Sequence, residues 1–189
     1  MKLILTRHGR TVENEKGILQ GHQPGKLSKT GLEQAKKLAL RLKSEKIDFI
    51  YSSDLARAAD TTREIAKFHP KTPLFLVEEL RESDLGSFSG KHREDIDWNN
   101  RPKDVESLSS MKKRVKKLLD DVYKKNPNST VLFVGHNRIN KVLITIIMNK
   151  PVKHMKNLEQ QHNTTINIFE IKEDKKHKVI LLNCKKHLE

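Results

Sequence analysis

The chain has 189 residues, 35% hydrophobic and 33% charged, with a formal net charge of +14 and a single cysteine, Cys184. One cysteine excludes an intrachain disulfide, no Cys/His set has zinc-ligand spacing, and no apolar run is long enough to span a bilayer. The expectation is one globular domain over residues 1–189, cytoplasmic, whose positive charge favours anionic partners.

In chain order, Leu3, Ile4 and Leu5 predict a buried strand that stops abruptly at Arg7-His8-Gly9. The apolar run of the opening "MKLILTRHG" is too short for a signal peptide. A glycine-containing loop, 9–26, leads to Ser28, a helix cap followed by the apolar stripe Leu32, Ala35, Leu38, Ala39 and Leu42. "DFIYSSD" reads as a second strand ending at Ser52 and Ser53. It opens a helix with Leu55, Ala58, Ala59, Thr62, Ile65 and Ala66 inward. "PLFLVEEL" is a third strand, and residues 81–102 are polar and irregular, with room for a short helix after Gly90.

A long helix then carries Leu108, Met111, Val115, Leu118, Leu119 and Val122. "TVLFVGHN" is the clearest buried strand, and it feeds a helix bearing Ile139, Val142, Leu143, Ile146 and Ile147. Around Ile146, Ile147 and Met148 two readings stay open, core or the surface of a homodimer. The tail offers the paired strands "TTINIFEI" and "KVILLN". The basic runs at 112–117 and 172–178 read as solvated faces. Two Tyr, one Trp and no basic–aromatic interleaving argue against nucleic acid as the partner.

Alternating strands and helices predict an α/β three-layer sandwich, a mostly parallel central sheet flanked by helices. Ligands in such sheets sit beyond the carboxyl ends of strands. Arg7-His8, Ser52-Ser53 and Gly135-His136 all fall there, Arg57 lies one turn into the next helix, and Glu82 follows the third strand. Two His, two Arg and one Glu in one place suit phosphoryl transfer. A neutral imidazole, His8, can attack phosphorus, and Arg7 and Arg57 can hold the moving charge. A protonated or donating His136 adds a contact, and Glu82 can give and take the proton of the leaving and attacking oxygens. Gly9 would let the chain turn close to the phosphate.

The same residues carry a resemblance. Arg7-His8-Gly9-Arg10-Thr11 with Asn14, Gln20-Gly21, "LSKTGLEQA", "SSDLARAADT", "LRESDLGSFSG", "VESLSSMKKRV" and "VLFVGHNRIN" occur in order. This set resembles the histidine phosphatase superfamily, the branch of phosphoglycerate mutases and their phosphatase relatives. The resemblance implies a phosphoglycerate mutase-like fold, His8 as nucleophile, Arg7, Arg57 and His136 as phosphate pocket and Glu82 as general acid/base. It further implies Asn14, Gln20 and Gly21 as substrate-side residues, no cofactor and no metal. Arg10, and Pro24-Gly25-Lys26-Leu27 after the glycine, depart from the family pattern and bear on substrate contacts.

The remaining histidines read as surface or structural, with His22 the one placed to reach substrate; Asn137 reads as a cap, and Lys91, His92 and Arg93 can guard the entrance. The short stretch between Glu82 and Glu106 favours an open pocket and hydrolysis. The expected activity is a metal-independent phosphomonoesterase acting on a small phosphorylated metabolite. The alternatives are a bisphosphoglycerate-dependent mutase and a non-catalytic polyanion-binding protein.

Overall fold

A computed structural model describes residues 1–189. Six strands, β1 (Lys2–Arg7), β2 (Phe49–Ser53), β3 (Leu74–Val77), β4 (Thr130–Gly135), β5 (Ile166–Glu170) and β6 (Lys178–Cys184), form one sheet in the order β3-β2-β4-β1-β5-β6. Strands β3, β2, β4 and β1 run parallel, and β5 and β6 add an antiparallel pair at one side. The predicted α/β sandwich with a mostly parallel sheet is the fold observed.

A short helix α1 (Val12–Glu15) follows β1, and four helices cover the sheet: α2 (Lys29–Leu42), α3 (Ala56–Ala66), α4 (Leu108–Lys125) and α5 (Asn137–Ile147). The side-chain alternation of the strands sorts them onto two faces. Leu3 and Leu5 of β1 and Val131 and Phe133 of β4 pack with α4 and α5, whereas Ile4, Leu132 and Val134 pack with α2 and α3. Both faces are therefore apolar, as a covered parallel sheet requires, and each fully buried aliphatic contributes about 1.5–3 kcal/mol.

Particular expectations change on inspection. Leu32 is 39% exposed, at the outer edge of the stripe on α2. Strand β3 lies at the sheet edge, with Leu74, Phe75 and Leu76 exposed, so its apolar run does not mark a covered strand. Ile147 is buried and Ile146 and Met148 pack on the α4–α5 core, which favours core over a dimer surface for that stretch.

Gly9 also has a different reason from the expected one. It is not among the glycines with positive φ. An added Cβ would instead stand 2.4 Å from the carbonyl oxygen of Gly31, in the first turn of α2. The glycine permits a backbone–backbone contact that docks the loop after β1 on α2. Gly9→Ala will cost about 1–3 kcal/mol through overpacking, read as a lower midpoint in urea at unchanged m-value. An unchanged midpoint would show that the loop shifts at no cost.

Candidate active site

The parallel strands β1, β4 and β2 are neighbours, so their carboxyl ends lie side by side; in register, Arg7 pairs with Gly135, and the His8 N–H donates to the Gly135 carbonyl at 3.1 Å. A cavity of about 310 Å³ opens there, lined among others by Arg7, His8, Arg57, Glu82, Asn14, Gln20 and Gly21. His136 lies beneath it, its ring centroid 4.9 Å from that of His8.

His8 is 3% exposed. Its Nδ1 lies 2.7 Å from the Gly9 carbonyl oxygen, which can only accept, so Nδ1 carries the proton and Nε2 carries the lone pair. Burial, then the charges of Arg7 and Arg57, push its pKa well below the ordinary histidine value. The ring is neutral at pH 7, the form a nucleophile needs.

Arg7 donates through Nη1 to the Gln161 carbonyl at 2.7 Å, while its buried Nε has no partner. Such an orphan donor is costly unless a ligand takes it. Arg57 is 1% exposed. Its Nε donates to His136 Nδ1 at 3.2 Å, Nη1 to the Gln23 carbonyl at 3.1 Å and Nη2 to the Gly21 carbonyl at 2.8 Å. Burial, opposed by Glu82, lowers both guanidinium pKa values to about 10, so both remain charged at pH 7.

His136 cannot be the protonated partner in this arrangement. Its Nδ1 accepts from a guanidinium, so its one proton is on Nε2, which faces Ser53 Oγ at 2.9 Å. Burial, then Arg57 and the neighbouring charges, hold its pKa well below the ordinary value. The ring thus orients Arg57 and spends its N–H on Ser53.

Glu82 reaches the site from the loop after β3. Its carboxylate accepts from the backbone N–H groups of Ser83 (2.9 Å), Arg138 (3.1 Å) and Ile139 (3.2 Å). It therefore seats itself on the N-terminus of α5, whose own N-cap residue His136 makes no side-chain cap. Behind it, Arg114 donates to the carbonyls of Glu79 (2.7 Å), Arg81 (2.8 Å) and Glu82 (3.0 Å) and pairs with Glu106 at 2.8 Å. Arg114 belongs to the 112–117 run expected to be a solvated face. There it is half-buried and shapes the acidic loop.

The substrate-side residues have mixed duties. Asn14 forms a capping box with Thr11 at the start of α1, its Nδ2 makes no hydrogen bond within the protein, and it lines the cavity. Gln20 donates to Thr11 Oγ1 at 2.9 Å, and Gly21 offers its carbonyl to Arg57. His22 does not line the cavity; it donates to the Glu82 carbonyl at 2.8 Å from behind. Asn137 does not cap α5 but accepts from the Gln161 N–H at 3.1 Å. Arg10 faces a neighbouring recess and lies 3.8 Å from Glu15, Arg93 lines both recesses, and Lys91 lies over Phe88.

Sequence reasoning misses Ser53, Asn163 and Arg114 as site residues. Asn163 donates to the His8 carbonyl at 2.9 Å from the loop before β5, and no local pattern marks it. Ser53 carried a signal, its place at a strand end beside a motif arginine.

Comparison with known proteins gives a consistent picture. The family described as "Histidine phosphatase superfamily (branch 1)" matches residues 3–184. The curated putative phosphoserine phosphatase 2 of Hydrogenobacter thermophilus is 31% identical over 197 residues, covering 96% of this chain and 95% of its own. Bacillus stearothermophilus YhfR superposes with a TM-score of 0.92 at 26% identity, covering 100% and 99% of the two chains. A phosphoserine phosphatase mutant from Entamoeba histolytica, in complex with phosphoserine, superposes with a TM-score of 0.88 at 28% identity over 100% and 99%.

Proposed function

The chain belongs to branch 1 of the histidine phosphatase superfamily, and from that premise we propose that His8, Arg7, Arg57, His136 and Glu82 run a phosphohistidine cycle. The enzyme is a metal-independent phosphomonoesterase of small phosphorylated metabolites. The observation that carries the assignment of His8 is its tautomer: Nδ1–H is held by the Gly9 carbonyl, leaving the lone pair on Nε2 of a ring that burial and the charges of Arg7 and Arg57 keep neutral.

In the first step Nε2 attacks phosphorus, the N–P bond forms and the ester O–P bond breaks. Glu82, protonated for this step, gives its proton to the leaving oxygen and becomes the carboxylate. In the second step water attacks phosphorus, Glu82 takes its proton, the N–P bond breaks and phosphate leaves. Arg7 and Arg57 hold the charge spread over the transferring oxygens. His136, neutral, fixes the tilt of Arg57. The reading includes one catalytic domain over residues 1–189 working in the cytoplasm; no helix is long and apolar enough to cross a membrane.

The test is phosphate release from a panel of monoesters with a chelator present. The panel includes phosphoserine and α-ribazole phosphate, after the relatives named for them, and 3-phosphoglycerate with and without its bisphosphate. Release unaffected by chelator is expected. Isomerisation without release would make the enzyme a mutase. Salt-sensitive polyanion binding with no turnover would make it a binding protein.

A further inference from the structure

The phosphate needs two arginines, but the cavity holds three further cations. Arg93, Arg138 and Lys141 line it together with Arg7 and Arg57, against Glu82 as the lining carboxylate. A phosphate dianion leaves that set in excess of positive charge. None of Arg93, Arg138 and Lys141 belongs to an ion pair, although exposed lysines and arginines elsewhere on this chain do.

Arg138 is the most constrained of the three. Its Nε is buried and has no hydrogen-bond partner. Its guanidinium lies over the ring of Trp98, 5.2 Å from the centroid, and Trp98 in turn packs edge-on against Phe88 at 5.7 Å. The pair is thus a flat cationic fork backed by an aromatic wall. Burial, opposed by Glu82, lowers the Arg138 pKa, and burial followed by the charge of Arg138 lowers that of Lys141. Both environments favour an added negative charge. The backbone N–H of Arg138 holds the carboxylate of Glu82, and both residues line the one cavity, so the fork shares that cavity with the group that protonates the leaving oxygen. The organic part of the substrate departs on that side.

We propose that Arg138, with Lys141 and the Trp98 wall, forms a second anion subsite that reads a carboxylate on the leaving group of the phosphomonoester. The planar guanidinium matches a carboxylate in two parallel hydrogen bonds. Trp98 supplies an apolar face for a short carbon chain, and a cavity of about 310 Å³ suits a small ester. The inference rests on the phosphohistidine reading and narrows its substrate class to small phosphorylated carboxylic acids.

The experiment compares matched pairs of esters with and without the carboxylate: phosphoserine against phosphoethanolamine, and 3-phosphoglycerate against glycerol 3-phosphate. The wild type is expected to favour the acid in kcat/KM by roughly 10- to 100-fold, chiefly through KM. Arg138→Met is expected to collapse that ratio by a similar factor, and Trp98→Leu, at an exposed position, to reduce it less. A thermal melt of each variant reports whether it folds, and the wild-type ratio stands whatever the variants do. Equal turnover within each pair, or a ratio untouched in a folded Arg138→Met, overturns the subsite. Preference for a bisphosphate overturns the carboxylate in favour of a second phosphate. p-Nitrophenyl phosphate separates the two levels: its hydrolysis without discrimination within the pairs sinks only the subsite. No turnover of any ester sinks the phosphohistidine reading and the subsite with it.

Discussion

His8→Ala will lower phosphate release by at least about 10⁴-fold. The imidazole is the one nucleophile at the cavity floor, and the arginines around it hold charge but cannot form the N–P bond. Acid-quenched wild type mixed with substrate will carry a phosphoryl adduct by mass spectrometry, and the variant will not. Activity retained in His8→Ala would remove the covalent intermediate altogether. The fold should survive, because Nδ1–H bonds only to the neighbouring Gly9 carbonyl.

The depressed pKa of His8 adds a pH signature. A lowered pKa keeps the ring neutral into acid, so the acidic limb of kcat/KM due to His8 falls below pH 6.5, the ordinary histidine value. The same sign governs stability. The folded state resists protons at His8 and His136 that the unfolded chain accepts below about pH 6.5, so stability falls as pH drops through that range toward the depressed values. Replacing both histidines with alanine should flatten that part of the stability–pH curve. An unchanged curve would mean that the rings are not held neutral.

Glu82→Gln will lower kcat on alkyl phosphates by roughly 10²- to 10⁴-fold. An alkoxide leaves poorly without a proton, and glutamine has none to give. A p-nitrophenyl leaving group needs no proton, so the first step will survive better on that ester. The second step still lacks its base, so the phosphoenzyme should accumulate and release should show a burst followed by a slow phase. A uniform loss on both esters, without a burst, would reduce Glu82 to a structural role. The amide oxygen can still accept from the N–H groups of Arg138 and Ile139. The lost charge at the α5 N-terminus costs about 0.3–1 kcal/mol, so the variant remains folded.

The centre of this enzyme was legible in its sequence because local patterns and strand ends suffice for it. Hydrophobic alternation in β1 and β4 predicts covered strands, and their carboxyl ends carry Arg7-His8 and Gly135-His136. Among its acidic neighbours, Glu82 is singled out by the resemblance of "LRESDLGSFSG" to the family's acidic loop. Arg57 alone reads as a surface charge, and its motif context makes it more. Its 1% exposure agrees with the motif.

The α/β order, the parallel sheet and the residues gathered at its carboxyl edge can be read along the chain, since each depends on periodicity or on position within an element. What each of them touches emerges only when distant segments pack together. Gly9 is required by the backbone of Gly31, Arg114 leaves a basic run to hold the Glu82 loop, and Glu82 caps a helix 56 positions away. Arg138 and Trp98 meet across 40 positions of chain to make a cationic wall. Such contacts join segments with no shared periodicity, and their cost or benefit exists only once burial strips water from both partners.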